Sequence, residues 1–192
     1  TGFKGGWLSL WLNSMGASVH GIGLSPCTEN SIFKHARIAE VTDSHICDTR
    51  DFPKVKKLLN DLNPEIIFHM AAQPLVRHSY INPIETYETN VLGTVNILEA
   101  SRDCKSLKAI VNITSDKCYE NLEIDRGYNE NEAMGGHDPY SSSKACAELV
   151  SAAYRLSFLE NEGIAMAPAR AGNVVGGSDW ANARLIPDAL YA

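Results

Sequence analysis

Apolar positions first recur at helical spacing in Trp7-Leu8-Ser9-Leu10-Trp11-Leu12, which runs directly out of a glycine turn, Thr1-Gly2-Phe3-Lys4-Gly5-Gly6, and stops at Met15-Gly16. A short strand is predicted over 19–24, followed by a polar loop rich in Ser, Thr and Asn to about Ala36 and a short apolar stretch ending near Ile46. Asp51 or a neighbour caps a helix that Phe52-Pro53 opens and Asn63-Pro64 ends at Leu62. Glu65 to Ala72 is a compact apolar run closed by small residues, the pattern of a buried parallel strand. A long helix is predicted from Ile84 to about Arg102, and a second buried strand from Leu107 to Ile113, whose carboxyl end carries Thr114-Ser115-Asp116-Lys117. Asp138-Pro139 pairs a capping acid with proline at the first helical position, so a helix runs from Tyr140 to about Glu160, before a last strand over 164–167. Strands alternating with helices imply an α/β fold, a doubly wound and mostly parallel sheet with helices on both faces.

Composition narrows the reading. The 192 residues suffice for one domain with a real core, and 44% hydrophobic with 21% charged residues is a globular balance. No apolar run reaches the roughly 18 residues a membrane span needs, so a soluble protein without a membrane partner is expected. The net charge of −6, with no basic block, argues against a nucleic-acid partner. Five scattered cysteines without a CxxC pair, and no signal-peptide pattern, fit reduced thiols and a cytoplasmic location. The six histidines form no HExxH and no tight Cys/His cluster, so no metal site is expected.

Two places carry candidate chemistry. Gly2 and Gly5 stand at the mouth of a helix, where missing side chains let backbone N–H groups approach a diphosphate that the helix N-terminus also attracts; a tight turn has the same look. Tyr140 and Lys144 lie one helical turn apart and project from one face. An ammonium near a phenol favours phenolate, which can take a proton from a sugar hydroxyl. Ser115, at the end of the preceding strand, brings a third group toward the same point.

With these residues the sequence resembles the extended short-chain dehydrogenase/reductase family. The matching features are the Gly2/Gly5 turn, Asp48 after the family's third strand, His69-Met70-Ala71-Ala72, Asn90-Val91-Leu92-Gly93-Thr94, Ser115, Tyr140-Ser141-Ser142-Ser143-Lys144 and Arg170-Ala171-Gly172-Asn173. They cover nearly the whole chain. Asp116-Lys117 directly after Ser115 resembles the nucleotide-sugar 4,6-dehydratase branch, since 4-epimerases lack that acid and base.

The resemblance implies a Rossmann-like fold, NAD as cofactor and a nucleotide sugar, CDP-glucose favoured, as substrate. It implies that Tyr140 removes the C4 hydroxyl proton while hydride leaves for NAD, with Ser115 aiding the transfer and Lys144 holding the phenolate. Lys117 then takes the C5 proton and Asp116 protonates the departing C6 hydroxyl. Asp116 must therefore be a neutral acid and Lys117 a neutral base, a state that burial favours for both. By the same resemblance Gly2, Phe3, Lys4 and Gly5 line the pyrophosphate, Asp48 faces the adenine, Ala71 and Ala72 flank the ribose side, and Asn90 supports the helix of Tyr140 and Lys144. Asn173, Arg184 and Leu185 match positions that hold the sugar nucleotide. A homodimer or higher homo-oligomer is implied as well.

Some features depart from the pattern. Gly21-Ile22-Gly23-Leu24-Ser25 ends the strand over 19–24 without the acid that binds an NAD ribose. The family's first strand is expected before Thr1, and most of its substrate-binding region after Ala192, so the sequence reads as an interior fragment. Its parts are expected to be a cofactor domain over 1–168 and the start of a substrate-binding region over 169–192. A nucleotide-sugar epimerase or reductase, and an inactive truncated nucleotide-binding module, are the competing readings.

Overall fold

The computed structural model describes residues 1–181 and 184–191. In chain order its elements are α1 (Phe3–Ser14), β1 (His20–Gly23), α2 (Ile32–His35), α3 (Ile38–Val41), β2 (Asp43–Ile46), α4 (Phe52–Leu62) and β3 (Ile66–His69). There follow α5 (Val76–Ile81), α6 (Pro83–Tyr87), α7 (Gly93–Ser101), β4 (Ala109–Ile113), α8 (Pro139–Tyr154), β5 (Ala165–Ala169) and α9 (Leu185–Tyr191). Two compact units divide the chain: Thr1–Asp48 with Asn173–Ala192, and Thr49–Gly172.

In the first unit, α1 starts at Gly2, whose backbone is extended and whose helix end has no side-chain cap. It stops through a left-handed Gly16 (φ 87°), with Gly16 N–H donating to Asn13 O and Ala17 N–H to Leu12 O. That double closure satisfies the last carbonyls and needs glycine, because a side chain is strained at positive φ. α1 packs against α2 and α3. β1 and β2 pair in parallel, from His20 opposite Asp43 to Gly23 opposite Ile46. The polar loop expected up to Ala36 is corrected here: it contains α2, and Ile32 and Ile38 are buried. Four-residue helices are too short to display a period, so only their packing reveals them.

In the second unit β3, β4 and β5 form one parallel sheet in that order, with Ile66 opposite Ala109 and Ala109 opposite Ala165. Asp51 accepts the Lys54 N–H and Pro53 sits in the first turn of α4, which ends at a left-handed Asn63. The helix predicted from Ile84 is continuous from Pro83 to Ser101, but its middle turn, Glu88–Leu92, is a π-helix. Asp138 caps α8 by accepting both the N–H and the hydroxyl of Ser141, and α8 runs on into a second π turn, Arg155–Leu159.

The expectation of a buried strand within 65–72 holds for one face of β3 and is corrected for the other. Ile67 and His69 are buried, whereas Ile66 is 53% and Phe68 38% exposed. Helices α7 and α8 cover the face of His69 and Asn112, bonding them through Thr94 and Ser151, and α4 packs on α7. Strand side chains alternate between faces, so a uniformly apolar strand still divides by the cover each face receives. Among the described residues no helix is long and apolar enough to cross a membrane.

Candidate active site

Because β3, β4 and β5 are parallel, the segments after them lie at one end of their sheet, where α/β sheets bind ligands. Ala71 and Ala72 follow β3, Thr114 to Lys117 follow β4, and Arg170 to Gly172 follow β5. Ser115, 5% exposed, is extended and caps a single 3₁₀ turn, Asp116–Cys118. Its Oγ accepts the Lys117 N–H at 3.2 Å and donates to Asp116 Oδ1 at 3.1 Å. Backbone bonds from Thr114 N–H to Ala169 O (3.0 Å) and from Asp116 N–H to Ala171 O (3.1 Å) tie this turn to the chain leaving β5.

Asp116 and Lys117 form an ion pair, Oδ1 to Nζ 3.5 Å, with side chains 52% and 41% exposed. The expectation that burial drives both toward neutrality is therefore corrected: both side chains reach solvent. The pair nonetheless has the right proton count. Carboxylate plus ammonium and carboxylic acid plus amine each hold one proton between them, so moving that proton across the contact creates the acid and base an elimination requires.

Tyr140 and Lys144 occupy the first turns of α8 and are both buried. Lys144 Nζ donates to Ile113 O at 3.2 Å, fixing it beside the last residue of β4, and α8 packs against the Asp116–Cys118 turn. Gly136 lets the segment before α8 lie against the helix's own first turn. Its φ of 130° is a glycine conformation, and a Cβ there would lie 2.5 Å from Ser142 N.

Asn90, 1% exposed, sits in the π turn and bonds in two directions. Its Oδ1 accepts the Gln73 N–H at 2.8 Å, and its Nδ2 donates to Gln73 O at 3.1 Å and Ser143 Oγ at 2.9 Å. Ser143 Oγ donates in turn to Tyr140 O at 2.7 Å. Asn90 thus joins the segment after Ala71 and Ala72 to the turn that carries Tyr140 and Lys144. The widened turn fits the tendency of π-bulges to occur at functional positions.

Behind this layer lies a buried polar network. Thr94 Oγ donates to Asn90 O at 2.7 Å, which spends its one hydrogen, so the 3.1 Å contact to His69 Nε2 is a bond donated by the imidazole. Burial first, and the charge of Lys144 second, lower the His69 pKa to about 3; the ring is neutral. Glu148 accepts from Thr114 Oγ at 2.5 Å and from Arg170 Nη2 at 3.0 Å. The Arg170 guanidinium lies 4.7 Å over the Tyr119 ring, and Glu148 holds its pKa above the ordinary arginine value. Sequence reasoning did not single out Glu148. The available signal was an acid one turn beyond Lys144, on the same helical face.

The first unit holds the remaining candidates. Thr1 Oγ donates to Leu24 O at 2.6 Å, which sets the start of α1 at the carboxyl end of β1. A Cβ on Gly2 or Gly5 would meet nothing within 4 Å, whereas one on Gly6 would lie 2.4 Å from Ile32 Cγ2 and 3.0 Å from Ile38 Cδ1. Gly2 and Gly5 leave the backbone accessible, and Gly6 lets α1 approach α2 and α3, a role the sequence reading had not assigned. Phe3, Lys4, Trp7, Val174, Val175 and Gly176 line a cleft of about 430 Å³, and Trp7 Nε1 donates to Gly177 O at 3.1 Å. Burial first, and then the charge of Arg184, depress the Lys4 pKa. Arg184 Nε lies 3.3 Å from Asp179 Oδ2, an ion pair without hydrogen-bond alignment. Asp48 is half-buried just past β2, and Asn173 is exposed. Leu185 opens α9; its side chain lies outside the described residues.

Comparison with known proteins agrees with this architecture. The sequence pattern of the family described as GDP-mannose 4,6 dehydratase matches residues 1–174. CDP-glucose 4,6-dehydratase of Salmonella typhimurium (strain LT2) is 57% identical over 99% of this chain and 54% of its own length. The crystal structure of Thermus thermophilus UDP-glucose 4-epimerase in complex with NAD aligns at a TM-score of 0.79 and 25% identity, over 95% of this chain and 56% of that one. That of a dTDP-glucose 4,6-dehydratase double mutant from Streptomyces venezuelae, with NAD bound, aligns at 0.76 and 24%, over 94% and 56%; this second likeness concerns the fold. The parallel α/β architecture is that of the Rossmann-type short-chain dehydrogenases/reductases. Within that class the chain belongs to the GDP-mannose 4,6 dehydratase family. It spans about half the length of the first curated relative it matches.

Proposed function

We propose that this chain carries the catalytic layer of an NAD-dependent hydro-lyase that converts a nucleotide-activated hexose, CDP-glucose, to its 4-keto-6-deoxy derivative. The observation that carries the reading is the Ser115-Asp116-Lys117 turn, with its acid–base pair at 3.5 Å, packed against the helix of Tyr140 and Lys144. The 57% identity to the Salmonella CDP-glucose 4,6-dehydratase supports the choice of nucleotide.

The residues present suit a dinucleotide. The start of α1 offers N–H groups with no side-chain cap, flanked by glycines whose open side a Cβ would occupy. Burial first, and then the charge of Arg184, disfavour the Lys4 ammonium, an arrangement that a bound anion relieves. Gly2, Phe3, Lys4 and Gly5 would hold the pyrophosphate, Asp48 the adenine side, and Ala71, Ala72 and Asn90 the ribose and nicotinamide side. Bound NAD supplies a hydride acceptor for C4 and later a hydride donor for C6.

The chain's own residues manage the protons. Tyr140, as phenolate held by Lys144, takes the C4 hydroxyl proton, and Ser115 bonds the same oxygen. A C4 ketone acidifies C5–H. Lys117, neutral once its proton has passed to Asp116, removes that hydrogen, and Asp116 returns the proton to the C6 oxygen, which leaves as water. Lys117 gives its proton back to C5. The proton collected by Tyr140 replaces the one Asp116 spent, so only water is lost. Asn173, Arg184 and Leu185 hold the nucleotide sugar. Residues 1–168 serve the cofactor and 169–192 begin the substrate side, in a cytoplasmic homodimer or higher homo-oligomer.

The test is incubation of the protein and NAD with CDP-, dTDP- and GDP-glucose, reading 4-keto-6-deoxy product by mass and by keto-sugar absorbance in base. Product from CDP-glucose is expected. A C4 epimer in its place, or no product from any donor, overturns the reading.

A further inference from the structure

The amino ends of β1 and β2 carry a cluster unrelated to the chemistry above. His20 pairs with Asp43 across the ladder, and His45 stands two residues beyond Asp43 on the same strand, hence on the same face. His20 Nδ1 lies 3.0 Å and His45 Nε2 2.9 Å from one oxygen, Asp43 Oδ2. The two rings stack with centroids 6.5 Å apart and planes 21° apart. One donor atom from each of the three residues lies within 4.8 Å of the other two, and among the described residues this is the one such trio. The glycine turn adjoins the opposite end of β1, through Thr1 and Leu24.

We propose that His20, Asp43 and His45 form a binding site for a divalent transition-metal ion of the zinc class. Two imidazole nitrogens and one carboxylate oxygen are the donors zinc prefers, and they discriminate against calcium and magnesium, which take oxygen ligands. Metal–ligand bonds of about 2.0–2.2 Å at tetrahedral angles set donors roughly 3.3 Å apart. The two histidine–aspartate contacts need open by only a few tenths of an ångström, and the ion takes the place of both hydrogen bonds. The side chains of His20, Asp43 and His45 are 34%, 55% and 29% exposed, which leaves an approach for the ion and for water to complete its coordination.

Binding would clip β1 to β2. Their ladder is four residue pairs long, and a two-stranded pairing is marginal by itself. A ligand that binds only the folded state raises stability by mass action.

The test is calorimetric titration of the protein with zinc chloride, with magnesium and calcium chlorides as controls, beside thermal melts. One zinc per chain, a raised Tm and no response to magnesium or calcium are expected. His45→Gln and Asp43→Asn should each lose at least about tenfold in zinc affinity, together with most of the Tm rise. In wild-type protein, zinc should shield His20 and His45, but not His137, from carbethoxylation read by peptide mass spectrometry; this arm needs no variant to fold. Cobalt(II) should give an intense visible band without a thiolate charge-transfer band. Absence of zinc uptake, unchanged affinity in both variants, unshielded His20 and His45, or a thiolate band assigning the ion to cysteines would each overturn the proposal.

Discussion

Asn90 donates to Ser143 Oγ at 2.9 Å while exchanging two further bonds with the backbone of Gln73, so one amide in a widened helical turn holds two separate segments of the site together. Asn90→Ala removes the bonds of the buried Gln73 N–H and C=O, each costing about 1–3 kcal/mol when left unpaired, and one of the two bonds of Ser143 Oγ. Unfolding in urea should show a loss of at least about 2 kcal/mol. Because Ser143 bonds Tyr140 O, kcat should fall more than the residual folded fraction explains. A stability loss below 0.5 kcal/mol, an order-of-magnitude threshold set well under that penalty, would mean that the three bonds are not shared as described.

Asp116→Asn and Lys117→Ala should separate activity from stability. The pair is half-exposed, and such pairs contribute about 0–1 kcal/mol, so Tm should scarcely change. Loss of a general acid or base costs about 10²–10⁴-fold in rate. That loss should fall on elimination, with hydride removal from C4 retained and reduced cofactor accumulating in a single turnover. Equal loss of both steps would count against the assigned roles.

Gly6→Ala puts a methyl 2.4 Å from Ile32 Cγ2. Overpacking of this kind costs about 1–3 kcal/mol. Ile32→Ala should recover part of that in the double variant, since residues in contact couple by about 0.5–3 kcal/mol. Strictly additive effects on the unfolding midpoint would place Gly6 away from Ile32.

His69 should make stability fall with acid. With its folded pKa lowered to about 3 and an unfolded value near 6.5, the unfolded chain binds the extra proton throughout the interval between them. Above about pH 6.5 both states hold the ring neutral and there is no effect. Below it, His69 costs about 1.4 kcal/mol per pH unit, or about 2 kcal/mol at pH 5. His69→Gln, which keeps an N–H for Thr94, should lose about 2 kcal/mol less than wild type between pH 7 and pH 5 in urea titrations. Parallel pH profiles would show that His69 is protonated in the folded protein.

Much of this architecture was legible in the linear chain because its causes are local. Asp51 with Pro53 and Asp138 with Pro139 mark helix starts through bonds to the next few residues. The apolar runs around Ile67 and Ile110 mark strands, and Tyr140 and Lys144 share a helical face whatever that helix packs against. Other features depend on residues remote in sequence, which no local period encodes. Ile32 and Ile38 anchor helices only because Gly6 admits them. Ile66 and Phe68 differ in exposure from Ile67 by the cover over each face. Asn90 gains its meaning from Gln73 and Ser143, and Glu148 from Thr114 and Arg170. His20 joins Asp43 and His45, which share a strand face by alternation, through strand register, because parallel pairing converts a long separation along the chain into a contact of 3.0 Å.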